Sequence, residues 1–280
     1  MITLAEVLRR STEYLETHGS PTPRLDAELL LAHSLGLSRI ELYTQFERPL
    51  SESELGGCRS LVRRRGQREP VAYVIGQWGF RHLMLDVDAR VLVPRPETEL
   101  LVERCLALLD GVEQPAVLDV GTGSGAIALA LKQERPDLTV VGCDVSPDAL
   151  AVARGNAERL ELDVELVHSD LLDGIGDSRF HLVCSNPPYV SRAELETLEP
   201  EVAGFEPRLA LVAGEDGLEL YRRLLPQVSQ HLMPGGALAL ECGAGQAAWL
   251  VAELERLGYV GGDVDRDLAG IERVVWASWS

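Results

Sequence analysis

Residues 117–126 read VLDVGTGSGA, and this stretch decides the fold that we predict. A short apolar run, typical of a buried strand, leads directly into closely spaced glycines, and a helical pattern follows. Glycines let the backbone approach a ligand closely, while the first turn of the helix directs N–H groups at an anion such as a methionine carboxylate. Their G-x-G-x-G spacing differs from the dinucleotide form G-x-G-x-x-G. The predicted ligand-binding loop consists of Gly121, Thr122, Gly123, Ser124 and Gly125.

The same strand-to-helix alternation continues on both sides of this loop. Strand patterns occupy residues 117–120, 140–144, 164–168, 182–185, 237–240 and 274–278. Helical patterns occupy residues 97–109, 124–134, 147–160, 218–231 and 246–257. Such alternation predicts an α/β fold with a mostly parallel, doubly wound sheet over residues 96–280, and ligands bound at the carboxyl ends of its strands.

The preceding residues have a different pattern. Residues 1–75 carry only helical signals, including a cap at Ser38 and a capping box at Ser51 and Glu54. Between residues 76 and 95 the apolar period falls to about two, with Gly79 and the pair at 81–82 suited to a turn. We therefore predict a helical domain over 1–75, a β-hairpin connector over 76–95 and the α/β domain over 96–280.

Composition narrows the class of protein. The chain of 280 residues has a net charge of −18, which argues against direct binding to nucleic acid, although a local basic patch at 63–65 could exist. An acidic surface favours a basic protein partner or serves solubility.

No apolar run reaches the ~18 residues of a membrane span, and the amphipathic start lacks a signal-peptide core, so we expect a cytoplasmic protein. The five cysteines contain no C-x-x-C pair and the histidines no metal spacing, which predicts reduced thiols and no metal.

Two acidic residues follow predicted strands of the α/β domain. Asp144 ends the strand after the glycine loop, where a carboxylate can accept hydrogen bonds from both hydroxyls of an adenosine ribose. Asp170 follows the next strand and is placed to meet the edge of an adenine, unless it is a turn residue. With the glycine loop, these residues predict a site for an adenosine-containing ligand.

The sequence Asn186-Pro187-Pro188-Tyr189, called the tetrad below, ends the strand over 182–185. Two successive prolines remove two backbone donors and fix φ, which leaves carbonyl acceptors beside a primary amide. The Asn186 side-chain oxygen and the Pro187 carbonyl could together hold both N–H bonds of a planar NH₂ group, and Tyr189 could enclose it. We therefore predict that the tetrad binds the substrate and that Asn186, Pro187 and Tyr189 are catalytic.

An adenosine-containing ligand with a methionine carboxylate, next to a site for a planar NH₂ group, suggests methyl transfer to an amide nitrogen. That reaction needs little beyond this arrangement. The nitrogen is a poor nucleophile because its lone pair is delocalised, whereas a sulfonium methyl is a strong electrophile. Good alignment of the two is worth roughly 7–11 kcal/mol. Acceptors that interact more strongly as the nitrogen becomes positive also stabilise the transition state.

Together, the glycine loop, Asp144 and the tetrad resemble the class I amino methyltransferases. The flanking stretches at 93–99 (VPRPETE), 206–211, 214–221 and 273–274, together with the helical N-terminal part, resemble the PrmC/HemK family of glutamine methyltransferases over nearly the whole chain. The tetrad alone also occurs in DNA-adenine and RNA-guanine methyltransferases.

The resemblance implies N5-methylation of the glutamine in the Gly-Gly-Gln motif of class-1 peptide chain release factors, with S-adenosylmethionine as donor. It assigns the glycine loop and Asp144 to the cofactor, and Arg95 to the cofactor pocket. Leu171 falls where some members carry a tryptophan beside the adenine, so it offers only an apolar wall. The helical N-terminal domain would dock the release factor, and residues 191–215 form either a lid or a solvated connection.

Three other functions remain open from the residues. One is glutamine methylation of a ribosomal protein, which would use the same tetrad. Another is methylation of a nucleic-acid base, against which the negative charge argues. The third is a nucleotide-sensing module, which leaves the tetrad without a purpose.

Overall fold

The computed structural model describes residues 2–280 and contains two compact units. The first unit runs to Gln77 and also contains the later segment Glu199–Phe205. The second unit comprises Trp78–Leu198 and Glu206–Ser280. Across the described residues, no helix has both the length and the apolar character that crossing a membrane requires.

Helices make up the first unit. They are α1 (Leu4–Thr17), α2 (Pro23–Leu35), α3 (Arg39–Thr44), α4 (Glu52–Gly66) and α5 (Val71–Ile75), with a short helix at Pro200–Phe205. Both predicted caps are confirmed: the Ser38 and Ser51 side chains accept hydrogen bonds from the backbone N–H groups of Glu41 and Glu54, and each glutamate bonds back to its serine.

A buried arginine ties the segment 199–205 into the first unit. The Arg65 guanidinium donates to Asp26 at 2.6 Å and to Glu201 at 2.7 Å. Its side chain is only 4% exposed. Because removing one partner of a buried ion pair leaves an uncompensated charge, Arg65 fixes this segment to α2 and α4.

The second unit holds the predicted sheet. A hairpin of β1 (Gln77–Phe80) and β2 (Leu83–Asp86) precedes it. The sheet strands are β3 (Ala116–Val120), β4 (Thr139–Asp144), β5 (Glu165–His168), β6 (Phe180–Ser185), β7 (Leu232–Glu241), β8 (Tyr259–Arg266) and β9 (Glu272–Trp279). The helices of this unit are α6 (Thr98–Leu108), α7 (Ala126–Glu134), α8 (Pro147–Leu160), α9 (Arg192–Leu195), α11 (Glu219–His231) and α12 (Ala247–Arg256). The label α10 denotes the helix at Pro200–Phe205, which belongs to the first unit.

The strand order confirms the predicted α/β class. It runs β5-β4-β3-β6-β7-β9-β8, with β3 to β7 parallel and β9 antiparallel to both of its neighbours. The chain moves from β3 to β4 and β5 on one side and then returns to β6 on the other. Val120 at the end of β3 pairs with Cys143 and Ser185, so the loops after three strands meet at this point of reversal.

Asn156 joins the hairpin to the glycine loop from inside α8. Its side-chain oxygen accepts from the Asp86 N–H at 2.7 Å, and its amide nitrogen donates to the carbonyls of Asp86 at 3.0 Å and Ser124 at 2.9 Å. The side chain is fully buried. Asn156 therefore fixes the back of the loop.

We expect Asn156→Ala to lower the free energy of unfolding by about 1–3 kcal/mol, because buried backbone groups lose their partners. Urea denaturation measures this change. Arg159→Ala is the matched control, since Arg159 bonds to the same hairpin from an exposed position and should cost less than about 1 kcal/mol. Equal stability of Asn156→Ala and the wild type would contradict the claim that Asn156 fixes the hairpin to the glycine loop.

Two parts of the second unit differ from the sequence prediction. β8 was not predicted, because its two glycines and exposed polar residues give a weak strand pattern, and pairing with β9 stabilises it. The predicted strand at 237–240 begins earlier, at Leu232, and the ladder passes from Phe180–Leu232 to Leu182–Ala237, which leaves residues 233–236 as a bulge. The region 191–215, predicted to be a lid or a solvated connection, contains α9, α10 and a 3₁₀ turn at Arg208–Ala210.

Candidate active site

A cavity of about 350 Å³ lies at the carboxyl ends of β3, β4 and β6. Most of the predicted cofactor residues line it, together with the first three residues of the tetrad. These lining residues are Arg95, Gly121, Thr122, Gly123, Ser124, Asp144, Asp170, Leu171, Asn186, Pro187 and Pro188. A volume in this range suits a small-molecule ligand. Every residue of the lining belongs to the second unit.

The glycine loop contributes bare backbone to the cavity wall. Gly121 and Gly123 have φ of 75° and 58°, which L side chains rarely adopt. A Cβ at Gly121 would meet no atom within 4 Å and would project into open space. By contrast, a Cβ at Gly125 would lie 2.8 Å from Leu129, so this glycine serves the packing of α7.

Four N–H groups of the glycine loop donate within the protein. The N–H groups of Gly121 and Thr122 donate to the Cys143 carbonyl at 2.8 and 2.9 Å. The Gly125 N–H donates to the Thr122 carbonyl at 2.8 Å, and the Gly123 N–H donates to the Asp144 carboxylate at 2.9 Å. The sequence could not show this, because the acceptors on β4 come into reach only through the sheet. Internal bonds thus make the loop rigid.

Asp119 supports the loop from beneath, and sequence reasoning missed it. Its Oδ2 accepts from the Thr122 hydroxyl at 2.7 Å and from the Ala128 N–H at 3.2 Å. Burial raises the pKa of this carboxyl to about 7. The available signal was a single acidic residue inside an otherwise apolar strand.

Asp144 is held with both carboxylate oxygens directed by backbone donors. Oδ2 accepts from the Gly123 N–H and Oδ1 from the Ser146 N–H, each at 2.9 Å. Burial raises the pKa of Asp144, and these hydrogen bonds oppose the rise. Each oxygen keeps a lone pair for a ligand, so Asp144 can accept from a pair of vicinal hydroxyls at the cavity wall.

The residues after β5 form the neighbouring wall. Asp170 is half-exposed and pairs with Arg223 of α11 at 2.8 Å. Leu171 has φ of 50°, in the left-handed region, and its carbonyl accepts from the Ser169 hydroxyl at 2.8 Å. Sequence reasoning missed Arg223, which also lines the cavity.

The tetrad divides between the cavity and the protein interior. The Asn186 amide nitrogen donates to the Thr98 hydroxyl at 3.0 Å. The Tyr189 hydroxyl donates to Glu241 Oε1 at 3.4 Å, and its carbonyl accepts from Gln246 at 3.0 Å. Burial, with the Glu241 charge, raises the pKa of Tyr189. Tyr189 does not line the cavity as the other three do, so its hydroxyl supports Glu241 rather than enclosing a ligand there.

Arg95 stands at the rim of the cavity with a buried partner. Its guanidinium donates to Glu206 at 2.6 Å, and the Glu206 side chain is 1% exposed. The Val93 N–H reaches the same carboxylate at 3.4 Å. Pro207, Leu209 and Ala210, which follow Glu206 in the chain, also line the cavity. Part of the segment 191–215 therefore forms cavity wall.

All cysteines are free and buried, as predicted for reduced thiols. Burial raises the pKa of Cys143 and Cys242 to about 12. They are therefore packing residues, without the thiolate character of a nucleophile or ligand.

The chain is similar to known methyltransferases. Family models for the PrmC N-terminal domain and the methyltransferase small domain match residues 6–76 and 96–200. A release factor glutamine methyltransferase of Geobacter sulfurreducens is 44% identical over 98% of this chain and 95% of its own length. One from Rhodopirellula baltica is also 44% identical, with coverage of 98% and 95%. A solved methyltransferase from Pyrococcus furiosus is 21% identical with a TM-score of 0.53, covering 69% of this chain and 87% of that chain, which shows a common fold.

Proposed function

The chain belongs to the release factor glutamine methyltransferases, and we propose that it uses S-adenosylmethionine to methylate the N5 side-chain amide of the glutamine in the Gly-Gly-Gln motif of class-1 release factors. One observation carries the proposal. Asn186, at the carboxyl end of β6, turns its amide nitrogen toward buried Thr98, which leaves its oxygen for the cavity that Asp144 also lines.

The residues present fit the proposed cofactor. The open space beside Gly121 accepts ligand atoms that a side chain would displace. Asp144 offers two oriented oxygens to the ribose hydroxyls, and Leu171 and Ile127 supply apolar wall. We assign Asp170 to the adenine side and Arg95, whose charge Glu206 partly neutralises, to the cofactor pocket. When bound, S-adenosylmethionine supplies an electrophilic methyl group.

The chain's own contribution to the reaction is orientation. The Asn186 oxygen and the Pro187 carbonyl each accept a hydrogen bond from one N–H group of the glutamine amide. These two bonds fix the amide plane, and the nitrogen lone pair points perpendicular to that plane. As the nitrogen gains positive charge, both acceptors interact with it more strongly and lower the barrier. The nitrogen then loses one proton to solvent and regains its amide resonance.

The first unit takes no part in the cavity lining, so we assign it to docking of the release factor. The net charge of −18 suits a basic protein partner and disfavours direct contact with RNA. A translation factor as substrate implies that the enzyme works in the cytoplasm.

Radiolabelled methyl transfer tests this function. Purified release factor, a ribosomal protein fraction and ribosomal RNA are each incubated with enzyme and labelled S-adenosylmethionine. We expect label on the release factor alone. Label on a ribosomal protein would move the substrate to that class, label on RNA would overturn protein methylation, and no label with tight cofactor binding would favour a sensing module.

A further inference from the structure

A large apolar side chain stands exposed in the wall of the cavity. Among residues 2–280, two of the exposed large hydrophobic side chains line the cavity, Val145 at 42% and Leu209 at 61% exposure. Val145 directly follows Asp144, the proposed ribose ligand, so it belongs to the cofactor side. Single exposed leucines are ordinary on protein surfaces, but Leu209 shares this cavity with Asn186 and both prolines of the tetrad.

Hydrogen bonds hold the turn that carries Leu209. The Ala210 N–H donates to the Pro207 carbonyl at 2.9 Å, and the Leu211 N–H donates to the Arg208 carbonyl at 3.1 Å. Leu211 is buried, at 5% exposure, and anchors the turn from its far end. The backbone therefore presents the Leu209 side chain to water at a fixed place in the cavity wall.

Two further hydrogen bonds join this turn to the tetrad. Val190, which follows Tyr189, donates from its N–H to the Leu211 carbonyl at 2.9 Å. Its own carbonyl accepts from the Ala213 N–H, also at 2.9 Å. These two bonds form a parallel bridge between the chain after the tetrad and the chain after the turn. Leu209 and the tetrad therefore occupy neighbouring parts of the cavity wall.

The chemistry of this wall suits one part of the proposed substrate. Asn186 and Pro187 offer acceptors to the glutamine NH₂ group, whereas the Leu209 side chain has no polar atom and gains only when a ligand shields it from water. With the glutamine side chain reaching inward to the tetrad, the substrate main chain lies at the exposed part of the wall. In the Gly-Gly-Gln motif the preceding residues are glycines, whose bare main chain allows close contact with an apolar side chain.

We infer that Leu209 packs against the main chain of the glycines that precede the target glutamine, and so selects a substrate without side chains there. This role rests on the proposed function, because it takes the Gly-Gly-Gln motif as the substrate. It adds a specificity-determining contact to that function. Leu209 takes no part in the chemical step and acts only by binding and placing the backbone beside the glutamine.

Truncation of Leu209 tests the contact. Burying a whole leucine side chain is worth about 10- to 100-fold in affinity, and 61% of this one is still open to water. We therefore expect Leu209→Ala to lower kcat/KM on release factor by about 5- to 20-fold. Leu209→Met, which has a similar volume, should stay within about threefold of the wild type. Leu268→Ala is the control, because Leu268 is fully exposed outside the cavity, and it should match the wild type.

Two measurements separate this substrate contact from effects on the cofactor or the fold. In Leu209→Ala, the Kd for S-adenosylmethionine, measured by calorimetry, should stay within about twofold of the wild type. The midpoint of urea denaturation should not move, because most of the side chain is already exposed in the free enzyme. A loss of kcat/KM then reports on the release factor alone.

A change in the substrate tests the selection of glycine. Release factor with alanine in place of the glycine next to the glutamine is compared with the natural motif, for the wild-type enzyme and for Leu209→Ala. The added Cβ meets Leu209 in the wild type but finds room in the truncated variant. We expect the alanine motif to cost the wild-type enzyme at least about threefold more in kcat/KM than it costs Leu209→Ala.

Four outcomes would overturn this role. They are wild-type kcat/KM in Leu209→Ala, an equal loss in Leu268→Ala, cofactor binding weakened in step with turnover, or the same cost of the alanine motif for both enzymes. Each of them leaves methylation of release factor by the wild type intact. Absence of methyl transfer by the wild type would instead reject the proposed function.

Discussion

We expect the Asn186→Ala variant to methylate release factor at least about 100-fold more slowly than the wild type, while its Kd for S-adenosylmethionine hardly changes. Removing one preorganised hydrogen-bonding group from a transition state costs about 10²–10³ in kcat, and the Asn186 oxygen is such a group in our account. Its amide nitrogen bonds to Thr98 rather than to the cofactor side. Single-turnover kinetics and calorimetry measure the two quantities separately.

Asn156→Ala is the matched control for this variant. It deletes the same atoms from a fully buried position in the second unit, yet its contacts are to the hairpin and the back of the glycine loop. It should reduce stability, but at saturating S-adenosylmethionine, and at a temperature where the variant is folded, kcat should stay within about threefold of the wild type. Turnover by Asn186→Ala within about tenfold of the wild type would reject the role of Asn186.

The second large effect concerns Asp144. We expect Asp144→Ala to weaken binding of S-adenosylmethionine by about 1.5–3 kcal/mol for each hydrogen bond lost to the ribose, or at least about tenfold in Kd. The substitution also leaves the N–H groups of Gly123 and Ser146 without their acceptor. Asp144→Asn, which keeps one acceptor oxygen, should therefore fall between the wild type and alanine.

Asp137→Ala serves as the control for Asp144→Ala. Asp137 is exposed, pairs with Arg135 at 3.1 Å and does not line the cavity, so its loss should leave the Kd within about twofold of the wild type. Calorimetric titration with S-adenosylmethionine compares the two variants. An unchanged Kd in Asp144→Ala, or an equal loss of affinity in Asp137→Ala, would show that Asp144 does not hold the ribose.

Periodicity predicted most of the fold because strong local signals agree with the tertiary structure. The strand at 117–120 and the helix at 147–160 have apolar runs and caps that coincide with β3 and α8. β8 could not be predicted, since Gly261 and Gly262 weaken its strand signal and its stability comes from the β9 ladder. Similarly, α9 has a capping box at Ser191 and Glu194 but too few residues for a helical period.

Motifs in the sequence predicted the residues that face the cavity but not those that orient them. Gly121, Asp144 and Asn186 stand at ends of strands, where topology brings them together. Thr98, whose hydroxyl accepts from Asn186, lies 88 residues away from it, and Glu241, which accepts from the Tyr189 hydroxyl, ends an apolar strand with no motif around it. Such pairings arise from the packing of distant elements, which one sequence without structure does not reveal.

The most direct test of the account is to locate the transferred methyl group. Release factor methylated by the wild-type enzyme is digested, and the Gly-Gly-Gln peptide is fragmented by mass spectrometry, beside a Gln→Ala release factor. We expect one methyl group on the glutamine side-chain nitrogen and none on the variant. A methyl group on any other residue, or equal methylation of the variant, would contradict the claim that this site orients a glutamine amide.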